Sequence, residues 1–179
     1  DARQLDLLLP RVGIAAAEPM LDALAASESS QARRTLLDRL VAFGSAVGPL
    51  VARRLQDASW FVQRNMLAIL SELPDSPPEF DPRPFLEHPD ARVRREALKL
   101  LLRNDDTRER AIHYALADPD QRAMRLGLAT AVQHGLPESA VPLAASLALG
   151  AEAQDLRVSA IRALGTSRGS TAVEALMRL

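Results

Sequence analysis

Arginine dominates the polar chemistry of this chain: of 22 basic residues only Lys99 is a lysine. Arg34, Arg64, Arg95 and Arg125 recur at steps of 30, 31 and 30 residues. A guanidinium offers a planar fork of donors that matches carboxylates and phosphates, so such a row is a candidate anion-binding strip. Arg92, Lys99 and Arg122 extend it, and Phe61 supplies an apolar anchor beside it. The competing reading is a solvated face with local pairs such as Arg92–Glu96 at i, i+4, each contributing a few tenths of a kcal/mol.

Other residues that could do chemistry lack the setting it needs. Gly165-Thr-Ser-Arg-Gly169 matches the string around a nucleophilic serine. That elbow needs a strand before it and its histidine after it, whereas a helical pattern precedes this one and all three histidines come earlier. It reads as an inter-helix turn. His88, His113 and His134 lack an i, i+4 partner for a metal, and His88 and His134 fall near helix ends, where a cation suits the dipole. There is no cysteine, which removes thiol catalysis and disulfides. No catalytic residue, metal or cofactor is expected.

What would position the arginines is a repeat. Leu37, Leu67, Leu98, Leu128 and Ile161 are spaced by 30, 31, 30 and 33 residues, with the arginines three residues upstream. Five residues before each arginine stands Ser29, Ser59, Asp90 or Asp120, side chains that accept a hydrogen bond from a free N–H in a first helical turn. Counted from the cap, apolar residues fall at positions 3, 7, 8 and 11, as in Val93, Ala97, Leu98 and Leu101, one stripe at helical period. Second helical stretches lie between, at Glu18–Ala26, Ala46–Leu55, Arg83–Glu87, Arg108–Leu116 and Ser139–Leu149. Each unit of about thirty residues is then a helical hairpin that buries its stripe only against neighbours. The expected fold is all-α: an α-solenoid of stacked hairpins, 30–31 residues per repeat, in one domain over 1–179. Residues 14–44, 45–73, 74–104, 105–135 and 136–167 form the repeats. They are flanked by the last helix of a preceding repeat (1–13, with Gln4–Leu9 helical) and the first of a further one (168–179).

The pattern resembles HEAT-type repeats, specifically the short bacterial kind also found in phycobilisome lyase subunits. The likeness is carried by His88-Pro-Asp-Ala-Arg-Val-Arg-Arg-Glu-Ala-Leu-Lys-Leu-Leu and Asp118-Pro-Asp-Gln-Arg-Ala-Met-Arg-Leu-Gly-Leu. Looser copies start at Ala58 and Asp155. It implies that position 4 (Arg33, Gln63, Arg94, Met124, Arg157), about 30° from the stripe centre at about 100° per residue, is a structural ladder bonding acids or carbonyls of adjoining repeats. It also implies that position 5, the arginine row at about 130°, is exposed and faces a concave groove. Two enzymes with related folds are poor matches. Deoxyhypusine hydroxylase binds iron through His-Glu pairs, but these histidines precede Pro89, Tyr114 and Gly135. Alkylpurine DNA glycosylases use tryptophans, a catalytic Asp and a basic cleft. Here Trp60 stands alone on the flank of its stripe, where it reads as packing, and Asp38 is the one acid at position 9.

Two departures from the pattern are expected to show. Leu73–Pro84 carries five prolines, which cannot sit inside a helix, so the first helix of the third repeat is short and follows an extended loop. The last 33-residue step holds a longer connection.

Bulk properties bound the function. With 179 residues, a net charge of −1 and 3% aromatics, the chain builds its interior from Leu and Ala and is not a bulk nucleic-acid binder. No apolar run approaches the ~18 residues of a membrane span. A start without Met and an end inside the apolar pattern Ala172–Leu179 read as a piece of a longer bacterial protein. The expected function is a non-catalytic, cytoplasmic scaffold that presents a groove to a protein partner with an acidic surface; oligomeric state is not legible. The alternatives are a bilin-lyase-like enzyme subunit and a nucleic-acid-binding protein.

Overall fold

Four polar residues at the repeat spacing mark where helices begin. In the computed structural model, which describes residues 13–56 and 58–178, helices start directly after Ser29, Ser59, Asp90 and Asp120. Ser29 accepts from the Ala32 N–H at 3.3 Å, Asp90 from Arg92 at 2.8 Å and Asp120 from Ala123 at 3.2 Å. Ser59 makes no side-chain cap bond. Its carbonyl still accepts from Val62 and Gln63, which starts the helix.

The α-helices are α1 (Ala17–Ala26), α2 (Ser30–Val41), α3 (Gly48–Arg53), α4 (Trp60–Glu72), α5 (Ala91–Arg103), α6 (Asp105–Ala117), α7 (Gln121–His134), α8 (Val141–Gly150), α9 (Gln154–Leu164) and α10 (Ser170–Met177). Short 3₁₀ turns occupy Gly13–Ala16, Gly44–Val47, Arg83–Glu87 and Glu138–Ala140. Among the described residues there is no strand, and no single helix is long and apolar enough to cross a membrane. The expected helix at Gln4–Leu9 lies outside the described residues.

Local chemistry explains the departures from the expected boundaries. The stretch expected at Arg108–Leu116 begins earlier, at Asp105, because Asn104 accepts from the Asp106 N–H at 3.0 Å and two aspartates follow in the first turn, where negative charge suits the helix dipole. The prolines hold the first helix of the third repeat to one 3₁₀ turn, Arg83–Glu87, after a loop from Leu73. In the 33-residue step α7 runs to His134 and Gly135 follows with φ 100°. The 3₁₀ turn Glu138–Ala140 then precedes α8, whereas α6 starts one residue after α5.

The chain divides into two compact units at the end of the proline-rich segment, between Asp81 and Pro82. In the first, α1, α2, α3 and α4 pack together over a core that includes Leu21, Leu24, Leu40, Val51, Met66, Leu67 and Leu70. Arg54 bonds Glu18 and Asp22 across from α3 to α1, and Arg53 joins at Glu18. The proline-rich loop belongs to this unit: the Ser45 hydroxyl donates to Asp75, and Pro77 fills the space over Gly48.

In the second unit α7 packs on α6 and touches both α5 and α9, while α10 packs on α8 and α9. Its core joins Leu98, Leu101, Ile112, Leu116, Leu128, Leu156 and Leu164. Val93, Ala97, Leu98 and Leu101, positions 3, 7, 8 and 11 of α5, are all buried, while Lys99 beside them is exposed. The helical register read from the stripe therefore holds there. At the ends of the column it weakens: Leu37 is half-buried and Ile161 is 41% exposed. Leu128 sits on a helix with such neighbours on both sides, α5 and α9, whereas α9 has only α7 of that set among the described residues.

Candidate functional site

The arginine columns do two different jobs. At position 4, the Arg33 Nη1 donates to the carbonyls of Ser27 and Glu28, and the Arg94 Nη1 to those of His88 and Pro89. In both cases the acceptors lie six and five residues upstream, where the preceding helix or turn ends with carbonyls that no longer find a helical donor. Arg108 repeats the geometry on Leu102 and Arg103 at the end of α5. The guanidinium thus seals the turn into its own helix. Only Arg94 also spans to the following repeat, forking onto Asp118 at 2.8 and 2.9 Å. That pair is largely buried, with side-chain exposures of 13% and 7%. Burial works against ionisation of Asp118, but the Arg94 fork and the Asp120 N–H outweigh it and hold the carboxyl below its ordinary range.

At position 5 the expected free row is instead paired in the second unit. Arg95 lies 3.5 Å from Asp120 and is only 17% exposed; Arg125 bonds Asp155 at 2.7 Å and also reaches Gln121. Arg95 therefore contacts the capping acid of α7, and Arg125 an acid in the first turn of α9. The expectation of an exposed row is corrected here, because those acids lie one repeat on and draw the guanidiniums along the stack. Arg92 chelates Asp90 through Nε and Nη2 at 3.0 and 2.8 Å, holding that carboxyl down at about 2. Lys99 bonds Glu96 at 2.9 Å, the partner expected for Arg92. Asp155 is likewise held below the ordinary range by Arg125. Arg122 is exposed at the start of α7. The structure thus brings Arg92, Arg95, Lys99, Arg122 and Arg125 onto α5 and α7, in contact with each other. Arg34, Arg64 and Phe61 belong to the first unit, where Arg34 is exposed on α2 and Arg64 is half-buried on α4. Phe61 is 43% exposed, edge-on to Trp60 at 5.9 Å.

Two open clefts lie in the second unit. One, of about 380 Å³, is floored by the Arg94–Asp118 pair and lined by Leu86, His88, Leu98 and the exposed Tyr114. The other, of about 310 Å³, is lined by Lys99, Leu102, Arg103, Arg108, Leu126, Thr130, Gln133 and His134. Of that set the sequence pointed only to Lys99. The signal that could have found more is spacing, since Lys99 and Arg103 share a helix face at i, i+4.

The serine string and two of the histidines make local contacts. Gly165–Gly169 is the turn between α9 and α10; the Thr166 hydroxyl accepts from the Leu136 N–H and lies 2.7 Å from the Ala163 carbonyl. His88 Nδ1 accepts from the Asp90 N–H, and His113 Nδ1 meets the Ser139 carbonyl at 3.1 Å. No group of three His, Cys, Asp or Glu side chains that could hold a metal ion occurs among the described residues.

No protein-family model and no curated protein matches the chain. The HEAT-type likeness therefore rests on the repeat's own residues.

Proposed function

We propose that this chain is a non-catalytic interaction module of the HEAT-like α-solenoid type, of bacterial origin and working in the cytoplasm. In this reading the helices α5, α7 and α9 form a face for a protein partner with an acidic surface. The observation that carries it is that Arg95 and Arg125 reach, one repeat on, to Asp120 and Asp155. This places cations and acids in a recurring pattern along helices that pack in order. The Arg125–Asp155 pair is open to solvent, and such a pair contributes about 0–1 kcal/mol, so an incoming carboxylate can exchange with Asp155 at little cost. Exchangeable charge at regular intervals favours specificity and fast encounter over raw affinity.

The test is capture of partners on the immobilised chain, beside a variant with Arg95→Gln and Arg125→Gln that has first been checked for native helicity and melting. Glutamine avoids adding an acid next to Asp120 and Asp155. A protein retained by the parent chain, released by salt and bound about tenfold more weakly by the variant, or ~1.4 kcal/mol, is the expected result. Equal retention by the folded variant would reject the arginine face. A copurifying bilin, visible as colour, or a steep salt dependence of affinity for generic duplex would overturn the protein-scaffold reading.

A further inference from the structure

The arginine row has a different setting in the first unit. In the second, Arg95 and Arg125 at position 5 each meet an acid at the start of the following helix of the row. Those acids are Asp120, at the cap of α7, and Asp155, two residues past the cap position of α9. The corresponding positions at the start of α4 are Ser59 and Phe61. Arg34, at position 5 of the adjoining α2, therefore has no carboxylate in that place. It is exposed and forms no ion pair among the described residues, Asp38 one turn on included. Arg64, half-buried and one turn along α4 from Phe61, forms none either. Asp38 is the only acid on α2, and Glu72, the last residue of α4, is the only one on that helix.

Beside these cations the surface is aromatic. Phe61 is 43% exposed and Trp60 39%, and their rings meet edge-on at 5.9 Å. Phe61, Arg64 and Ala68 fall at i, i+3 and i+7, so they share one side of α4. A ring has few torsions to lose and much apolar area to cover, so Phe61 is suited to anchor a partner's side chain.

We propose that Arg34, Phe61 and Arg64 form a docking point for a segment of a partner protein in which an Asp or Glu stands beside a large apolar side chain. The carboxylate takes on Arg34 the place that Asp155 takes on Arg125, and the apolar side chain covers Phe61. The inference rests on the interaction-module reading and adds to it a seat in the first unit, where no internal acid has to be displaced. A free anion would leave Phe61 wet. A nucleic-acid strand calls for a continuous basic track, whereas Arg92, Arg95 and Arg125 of the second unit are already held by Asp90, Asp120 and Asp155.

Trp60 is the one tryptophan of the chain, so its fluorescence reports on this spot. The experiment titrates the full chain with the capped peptides Glu-Leu-Glu-Leu, Gln-Leu-Gln-Leu and Glu-Ser-Glu-Ser, and with oligothymidylate. A saturable emission change is expected with the first peptide. Binding should be at least about fivefold weaker for the other two peptides, and for an Arg34→Gln, Arg64→Gln variant of unchanged melting. If loss of the half-buried Arg64 lowers the melting point, Arg34→Gln alone carries the same test. The Arg95→Gln, Arg125→Gln variant should respond as the parent does. Equal response to the glutamine or serine peptide, tighter binding of oligothymidylate, or unaltered binding by the Arg34 variant would each overturn the proposal. So would loss of the response in the Arg95, Arg125 variant, which would move the seat to the second unit. Silence towards every probe overturns this seat alone, because the interaction-module reading is decided separately by capture.

Discussion

Arg94 shows how much one side chain can hold in this fold. It closes the turn behind it through two carbonyls and grips Asp118 of the following repeat. The Asp118 carboxyl titrates below its ordinary 3.8 in the folded chain, so the unfolded chain binds its proton first as the pH falls. The stability that Asp118 contributes is therefore complete above about pH 4 and disappears as the pH drops through the folded value. Asp118→Asn should cost about 1.5–3 kcal/mol at pH 7, the range for hydrogen bonds to charged groups. It should also flatten the acid limb of stability. Urea midpoints of the two proteins between pH 7 and pH 2 test this: curves that stay parallel would mean the pair is not what acid breaks. Asp90 and Asp155 have lowered carboxyls too, but they stand in solvent-exposed pairs, where screening leaves little net gain.

Between helices, the decisive contact is where α7 crosses α6. Gly127 sits at position 7 of α7, in the column that holds Met66 and Ala97 in other repeats. A Cβ there would lie 2.7 Å from the Ala115 Cβ and 3.3 Å from Leu116 Cδ2, too close for either to stay in place. Helix propensity alone favours alanine by about 1 kcal/mol, whereas forcing packed helices apart costs about 1–3 kcal/mol. Gly127→Ala should therefore lower the melting midpoint despite its better propensity, and adding Ala115→Gly should restore it. A single variant more stable than the parent would show that the two helices yield easily. The capped helices were legible because caps, stripe and spacing are local signals, and Ser29, Asp90 and Asp120 act as those signals imply. The early start of α6 was legible in principle from Asn104-Asp-Asp, but the apolar pattern drew its boundary inwards.

At the scale of the molecule, the proline-rich segment does more than shorten one helix. It ends one compact unit, and the next begins at Pro82. The core of the second unit, from Leu98 to Ala172, is built wholly from residues after that boundary. A core that closes within its own segment is the condition for independent folding. The fragment 82–179 should accordingly show helical circular dichroism and one cooperative melt. A broad, gradual loss of signal would mean that its repeats need the first unit. The expectation of a single domain over the whole chain did not include this division.

What the sequence determined by itself is what depends on neighbours along the chain. The helical class, the capped starts, the buried stripe with Leu98 inside and Lys99 outside, and the proline break all follow from spacing and residue type. The resemblance implied a ladder at position 4 onto adjoining repeats; Arg94 makes that contact at Asp118, whereas Arg33 closes only the turn five and six residues behind it. The charge state of the candidate face was decided only by tertiary structure. Whether Arg95 and Arg125 stand free depends on acids 25 and 30 residues further on, which stacking brings within reach.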